Sequence, residues 1–319
     1  MHNILVTAIG SFSADIVIKK MHQNGCFVVG TDIYPKEWIV DAFNVDKFYK
    51  VPMAIDSEKY INCLLDICTH NKIDFIFPLT HPEIDILNAY RDRFEQISAQ
   101  ICMSDHNTIC LCRNKQKTED FLRSTNKCEV INSYDLNTLE KEAITYPIVC
   151  KPINGRSSQG LKIFEDSRSF YSFYNQIDPN SYLIQPYVEG NIITVDVVRD
   201  RHNNCFAVAR RELLRTSIGA GISVQIIRND ILERQCKIIT ESMNILGCVN
   251  FEFIETADGM HYFLECNPRF SGGVEFSVIA GYDFITNHWK CFINSEIDTV
   301  AQIKEQFISR KYEEYVTSR

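Results

Sequence analysis

The 319-residue chain has no apolar run approaching the roughly 20 residues needed to cross a bilayer, so no membrane partner is expected. It also lacks a basic leader ahead of an apolar stretch, and Met1-His-Asn-Ile-Leu-Val-Thr7 reads as a first strand, not as a secretion signal. Positive charge is in deficit: 33 Lys and Arg stand against 41 Asp and Glu, a net charge of −8, which argues against a nucleic-acid partner. The 13 cysteines contain no CxxC pair; spacings such as Cys63 to Cys68 and Cys110 to Cys112 are not those of a zinc site. Their odd number and apolar neighbours, as at Cys150, Cys248 and Cys266, predict buried reduced thiols and a cytoplasmic location. Low-complexity linkers and internal repeats are absent, and no Ser/His/Asp or Cys/His constellation suggests a covalent nucleophile. Glycine is scarce where a dinucleotide site needs it. The turn Thr7 to Ser13 holds Gly10 alone, against three glycines in the fingerprint, so Asp32 does not make this an NAD site.

What is present is an apolar fraction of 45%, enough for two or three packed subdomains. Strands over 4–9, 26–31, 73–77 and 97–103 alternate with helical patterns over 14–22, 60–68 and 83–94. That alternation predicts an α/β domain with a parallel sheet. After Asn114 the pattern becomes α+β. A short helix starts at Lys115, strands fall at 146–151, 161–164, 182–188, 192–199 and 205–211, and a helix over 232–246 leads into a hairpin.

The hairpin, Val249 to Arg269, is the most informative segment. Its apolar arms flank Asp258-Gly259, a strong two-residue turn signal. With that turn Glu252 faces Glu265 and Asn250 faces Asn267, all four on one side, while Phe251, Phe253, Leu264 and Cys266 face a core. Like charges opposed across a ladder are destabilising. A hard cation removes the penalty, and two carboxylates plus an amide oxygen suit magnesium that also holds phosphates. A solvated hairpin face remains the other reading. Gly155 to Gly160, with Ser157 and Ser158 between, offers backbone N–H groups to phosphate oxygens but is not a P-loop, because Leu161 and a strand follow it. Lys151 ends an apolar strand beside that loop. Arg210, Arg211 and Arg215 form a cationic cluster, and Arg269 follows the hairpin.

The order Lys115, Lys151-Pro with the Gly/Ser flap, Gln185-Pro-Tyr-Val-Glu-Gly190, Glu252, and Glu265-Cys-Asn-Pro-Arg269 resembles the ATP-grasp superfamily. It is most similar to short, single-module relatives of the carbamoyl-phosphate synthase large chain. The resemblance implies a Rossmann-like pre-ATP-grasp domain over 1–110, a small ATP-grasp subdomain with the phosphate flap over 111–190, and a large subdomain over 191–319 with the metal site and a C-terminal helical segment. It further implies that Lys115 and Lys151 contact ATP phosphates and that Gly155, Ser157, Ser158 and Gly160 close over them. Backbone groups near Gln185, Tyr187 and Val188 would read adenine. Glu252, Glu265 and Asn267 would hold magnesium, and Arg269 with Arg211 would steady an acyl-phosphate. Two positions depart from the pattern. Ile192 stands where relatives place a ribose-binding glutamate, with Glu189 as a substitute of opposite strand parity, and Pro186 stands where relatives often place an acid.

The implied function is an ATP-dependent carboxylate–amine ligase that forms an amide or peptide-like bond between small molecules. A non-catalytic nucleotide-binding module, or a subunit of a larger carbamoyl-phosphate-synthase-like complex, is the alternative. The sequence names neither substrate, and a homo-oligomer is compatible with it.

Overall fold

A computed structural model describes residues 1–135, 144–155, 159–217 and 219–318. The N-terminal part is a five-stranded sheet built from β1 (Asn3–Val6), β2 (Phe27–Asp32), β3 (Lys47–Lys50), β4 (Phe75–Phe77) and β5 (Gln100–Ile101), in the order β3-β2-β1-β4-β5. All its pairs are parallel. Helices α1 (Ala14–Gln23), α2 (Ser57–Asn71), α3 (His81–Ala89) and α4 (Arg91–Glu95) cover it. Strand β3 escapes a sequence reading because its residues, Lys-Phe-Tyr-Lys, are exposed or half-buried at the sheet edge and form no apolar run.

Two helices, α5 (His106–Cys112) and α6 (Lys115–Thr125), lead to a three-stranded antiparallel sheet. It comprises β6 (Ile148–Pro152), β7 (Lys162–Phe164) and β8 (Tyr182–Pro186), ordered β7-β6-β8, with α7 (Ser167–Tyr174) packed against it. The largest sheet follows. It contains β9 (Asn191–Arg199), β10 (Cys205–Arg215), β11 (Gly221–Ile227), β12 (Gly247–Glu255), β13 (His261–Asn267) and β14 (Phe307–Ser309), ordered β13-β12-β9-β10-β11-β14. Helix α8 (Asp230–Ser242) connects β11 to β12, and α9 (Val274–Ala280) and α10 (Phe284–Lys290) follow β13. The tail beyond α10 is extended, and its β14 pairs antiparallel with β11.

The two faces of this large sheet have different jobs. Ile193, Val195, Val197, Ala209, Phe251 and Phe253 point to the rear, where Leu232, Cys236 and Ile239 of α8 close a core. At one end of the front face Val198, Val208 and Val224 pack with Val17 and Met21 of α1 and with Phe284 and Trp289 of α10. The N-terminal domain is thereby held against the sheet by shared apolar burial, the dominant favourable term in such contacts. The other end of the front face stays open for polar groups.

All 13 cysteines are free thiols and most are buried, Cys110 being the exposed one. Among the described residues no helix is long and apolar enough to cross a membrane. Gly190, which joins β8 to β9, lies hard against the end of β12: a Cβ there would stand 2.4 Å from the Glu255 carbonyl oxygen and 2.6 Å from Ile254 Cγ2. Gly190→Ala is therefore expected to cost about 1–3 kcal/mol through forced backbone displacement. Urea unfolding should show a lower midpoint, and an unchanged midpoint would mean the junction yields without strain.

Candidate active site

The register of β12 and β13 brings the hairpin carboxylates face to face: Asn250 pairs with Asn267, Phe251 with Cys266, and Glu252 with Glu265. The turn differs from the two-residue form that Asp258-Gly259 suggests. Glu255 pairs with His261, the Thr256 amide bonds the Met260 carbonyl at 3.0 Å, and Gly259 takes φ +82°. This is a three-residue loop with glycine in the left-handed position. A register shift between Glu252 and Phe253 then absorbs the extra residue. Leu264 consequently lies beside Glu265 in a cavity wall, and Phe263 takes the core place expected for Leu264.

A second irregularity selects the arginine. Thr194 of β9 lies between Glu252 and Arg210, so one row of the front face reads Glu265, Glu252, Thr194, Arg210. Strict alternation along β10 would put Arg211, Leu213 and Arg215 together on the rear face. Register shifts between Glu212 and Leu214, and between Leu214 and Arg215, break that alternation. Arg215 turns to the front and bonds Glu252 Oε1 at 3.0 Å. Arg211 stays behind, held by Glu255 Oε2 at 2.7 Å and Gln225 Oε1 at 2.8 Å, and lines neither cavity described below.

Two cavities meet at the carboxylate pair, and Arg215, Glu252 and Glu265 line both. The first, about 370 Å³, lies between the small sheet and the large one; Ile163, Pro186, Val188, Ile192, Ile254 and Leu264 give it apolar walls. Lys115 and Lys151 stand at its polar end. Lys115 Nζ bonds Glu265 Oε2 at 3.1 Å and the Gly155 carbonyl at 2.8 Å. The second cavity, about 400 Å³, is polar, with Arg210, Arg269, Glu212, Asn250 and Asn267 around it. Arg210 is fully buried and satisfied: Asp196 and Glu212 accept from it, as do Ser271 Oγ at 2.9 Å and Ser277 Oγ at 3.2 Å. Arg269 spends Nη1 on the Phe270 carbonyl at 2.8 Å.

Electrostatics splits the carboxylate pair. Burial raises the Glu252 carboxyl above its ordinary range, and Glu265 across the ladder adds to the rise against the pull of Arg215. Burial also works to raise Glu265, but the Lys115 ammonium, followed by Lys151, outweighs it and holds that carboxyl below its usual range. Asn267 Nδ2 bonds Asn250 Oδ1 and Glu265 Oε1, both at 3.2 Å. Glu252 and Glu265 at the junction of the cavities, with Asn267 beside them in the second, therefore present hard oxygen donors, a set that suits magnesium more than zinc. No group of three or more His, Cys, Asp or Glu side chains with metal-binding geometry occurs among the described residues. Burial lowers the Lys151 amine to about 8, even though Glu265 works to raise it.

The structure thus gathers Lys115, Lys151, Gly155, Glu252, Glu265, Asn267 and Arg269 around the two cavities. Ser157 and Ser158 lie outside the described residues. Gly160 takes φ +76° but does not line the cavity. Gln185 lines it, yet its side chain is committed to Glu119 Oε2 at 2.9 Å and the Ile131 carbonyl at 2.6 Å. The Tyr187 amide donates to the Pro147 carbonyl at 3.0 Å. Glu189 is exposed and outside the lining, whereas Ile192 is part of the wall. Glu119 and Glu212 escape a sequence reading. Glu212 carries one usable signal, its position two residues from Arg210 on the same strand face; nothing local marks Glu119, a helix residue that anchors Gln185 from a distance of 66 positions.

Comparison with known proteins bears on the family and the fold. Residues 4–102 match the family model of the PylC-like N-terminal domain, and residues 178–315 match the model described as ATP-grasp in the biosynthetic pathway with Ter operon. The carbamoyl phosphate synthase large chain of Caldanaerobacter subterraneus subsp. tengcongensis is 23% identical over 180 residues, 51% of this chain and 17% of that protein. The match thus spans well under a quarter of that relative. A biotin carboxylase–β,γ-ATP complex from Campylobacter jejuni superimposes with a TM-score of 0.78 at 16% identity, covering 94% of this chain and 73% of its own. N5-carboxyaminoimidazole synthetase from Staphylococcus aureus gives 0.75 at 16% identity, covering 95% and 80%. At such identities the structural likeness is one of fold.

The environment of Lys151 has a measurable consequence. Above a midpoint of about 8 its amine is neutral, so its hold on an anion weakens as pH rises through that value. Competitive acetylation read by mass spectrometry should place the midpoint near 8. Glu265→Gln should move it lower, because it removes a carboxylate that favours the ammonium. A midpoint at the ordinary value of about 10.4 would mean that the amine is solvated.

Proposed function

We propose that this chain, which joins a PylC-like N-terminal domain to an ATP-grasp domain, is an ATP-dependent carboxylate–amine ligase. The observation that carries the reading is the placement of Glu252 and Glu265 at the junction of an apolar cavity and an arginine-bearing one, with Asn267 lining the latter. ATP-grasp enzymes use ATP with magnesium. The apolar cavity suits a nucleotide base, and Lys115 and Lys151 at its polar end suit the phosphates. Magnesium held by the two glutamates and Asn267 would neutralise phosphate charge.

In the proposed reaction a substrate carboxylate oxygen bonds to the γ-phosphorus as the bond to ADP breaks, giving an acyl-phosphate. The amine nitrogen then bonds to the acyl carbon, phosphate leaves, and the amine releases a proton. Arg269 lines the second cavity, where the acyl-phosphate would form, and its fork can bind two oxygens of the transferring group. Arg211, on the rear face, takes no part. Catalysis in this scheme is positioning and charge neutralisation, the usual burden in phosphoryl transfer. The direct test is ADP release screened over carboxylates and amines, with mass detection of the product. A screen in which no combination stimulates ADP release, although nucleotide binds, favours a non-catalytic module.

Two outcomes follow from the geometry. Glu265→Gln should lower turnover by about 10²–10³, the loss typical of one preorganised charge-stabilising group, while Arg211→Ala stays within about twofold. Similar losses for both would move the catalytic centre elsewhere. Because Ile192 accepts no hydrogen bond, 2′-deoxy-ATP should support turnover within about tenfold of ATP, a difference of about 1.4 kcal/mol. A preference on the order of a hundredfold would reveal another ribose-reading group.

A further inference from the structure

A third cavity, about 620 Å³, lies in the N-terminal domain at the carboxyl ends of β1, β2 and β4. Its walls come from the segments 8–11, 32–41 and 80–83 that follow those strands, with Met53 and Ala54 alongside. Strand β1 has β2 on one side and β4 on the other, so this is the point at which the strand order reverses. In open parallel sheets ligands collect in that crevice. Here its chemistry excludes a phosphate. Among the described residues no lysine, arginine or histidine lines it. The backbone donors there are spent on Asp32, which accepts from the Gly10 amide at 2.9 Å and the Tyr34 amide at 3.1 Å. Glu83 is likewise consumed, accepting from Tyr60 at 2.9 Å and Thr80 at 2.7 Å.

What the cavity offers a ligand is mostly apolar surface, beside the half-buried Asp41 carboxyl, which burial raises to about 6. Trp38 is 73% exposed, Met53 59% and Tyr34 50%, a concentration of large apolar groups that soluble proteins rarely leave open without use. The Tyr34 and Trp38 rings stack at 5.9 Å with 30° between planes, which makes one wall an aromatic plate. The cavity adjoins the arginine-bearing one, since Ser11, Thr80 and Pro82 line both. A molecule bridging the two would place its reacting group near Arg269 and its remainder beside Trp38.

We propose that this cavity is the side-chain pocket of the substrate that reacts in the arginine-bearing cavity, and that it selects an apolar or aromatic side chain. The proposal rests on the ligase reading above. An apolar pocket of this kind discriminates by about 10–200-fold per methylene, so selection should be graded with side-chain size.

The chain provides its own reporter. Of its two tryptophans Trp289 is 8% exposed, so ligand-induced changes in emission report mainly on Trp38. The full chain, with MgADP present, is titrated with L-leucine, L-phenylalanine, L-alanine and L-aspartate. Leucine and phenylalanine should give a saturable change at least tenfold tighter than alanine, and aspartate none. Met53→Glu should weaken leucine at least tenfold without altering the rise in melting temperature given by MgADP. Trp38→Phe should lose the signal yet still bind leucine by calorimetry. Equal responses to all four amino acids, or no response while MgADP still raises the melting temperature, would overturn the pocket and leave the ligase reading standing. If MgADP gives no rise at all, the ligase reading is what fails, and the pocket's role falls with it.

Discussion

Two carboxylates opposed across a β-ladder are the constraint around which this site is organised. Glu252 and Glu265 occupy directly paired positions of β12 and β13, where like charges destabilise a hairpin. The protein does not separate them; it surrounds them. Arg215 binds Glu252 from one side and Lys115 binds Glu265 from the other. Both cations come from outside the hairpin, one from β10 and one from α6. The pair therefore ties the two large-sheet strands to the helix that leads into the small sheet. The charges that balance the carboxylates are the same groups that line the cavities on either side.

That arrangement explains the separation of chemistry between the cavities. Toward the small sheet the walls are Ile163, Ile192, Ile254 and Leu264, which suit a flat apolar ligand. Toward the N-terminal domain they are Arg210, Arg269, Glu212 and the asparagines, which suit charge. The N-terminal domain bounds the second cavity because α1 and α10 seal it against the other end of the same sheet face. Buried Arg210 stiffens the shared wall. Held by two carboxylates and two serine hydroxyls, it has no freedom to follow a ligand, and it fixes Ser271 in the loop beyond Arg269.

Much of this was open to a reader of the sequence alone. The β–α alternation of the first hundred residues, the antiparallel strands after Asn114 and the pairing of Glu252 with Glu265 all rest on local patterns of period two or 3.6. The turn that signals the pairing is not the turn that forms. A three-residue loop and a compensating bulge at Leu264 restore the register that a two-residue turn would give. Strand β3 is not legible, because an edge strand with both faces partly wet carries no apolar signature. Glu119 is not legible either, because its role depends on a contact 66 residues away.

The choice among the arginines shows where local reading stops. The sequence predicts a strand over 205–211 with Arg215 beyond it; on the longer strand that forms, Cys205–Arg215, strict alternation would put Arg211 and Arg215 on one face. The fold overrules this. Bulges in β10 turn Arg215 toward Glu252, while Arg211 remains with Glu255 on the rear. A bulge is a property of the pair of strands, arising when two residues on one oppose a single residue on the other. Nothing in a single strand's alternation can announce it. The sequence by itself determined most of the elements, which residues carry charge, and that two glutamates meet. Which cations answer them, and which cavity each group faces, was decided by packing between segments far apart in the chain, because burial and strand register are properties of the assembled sheet.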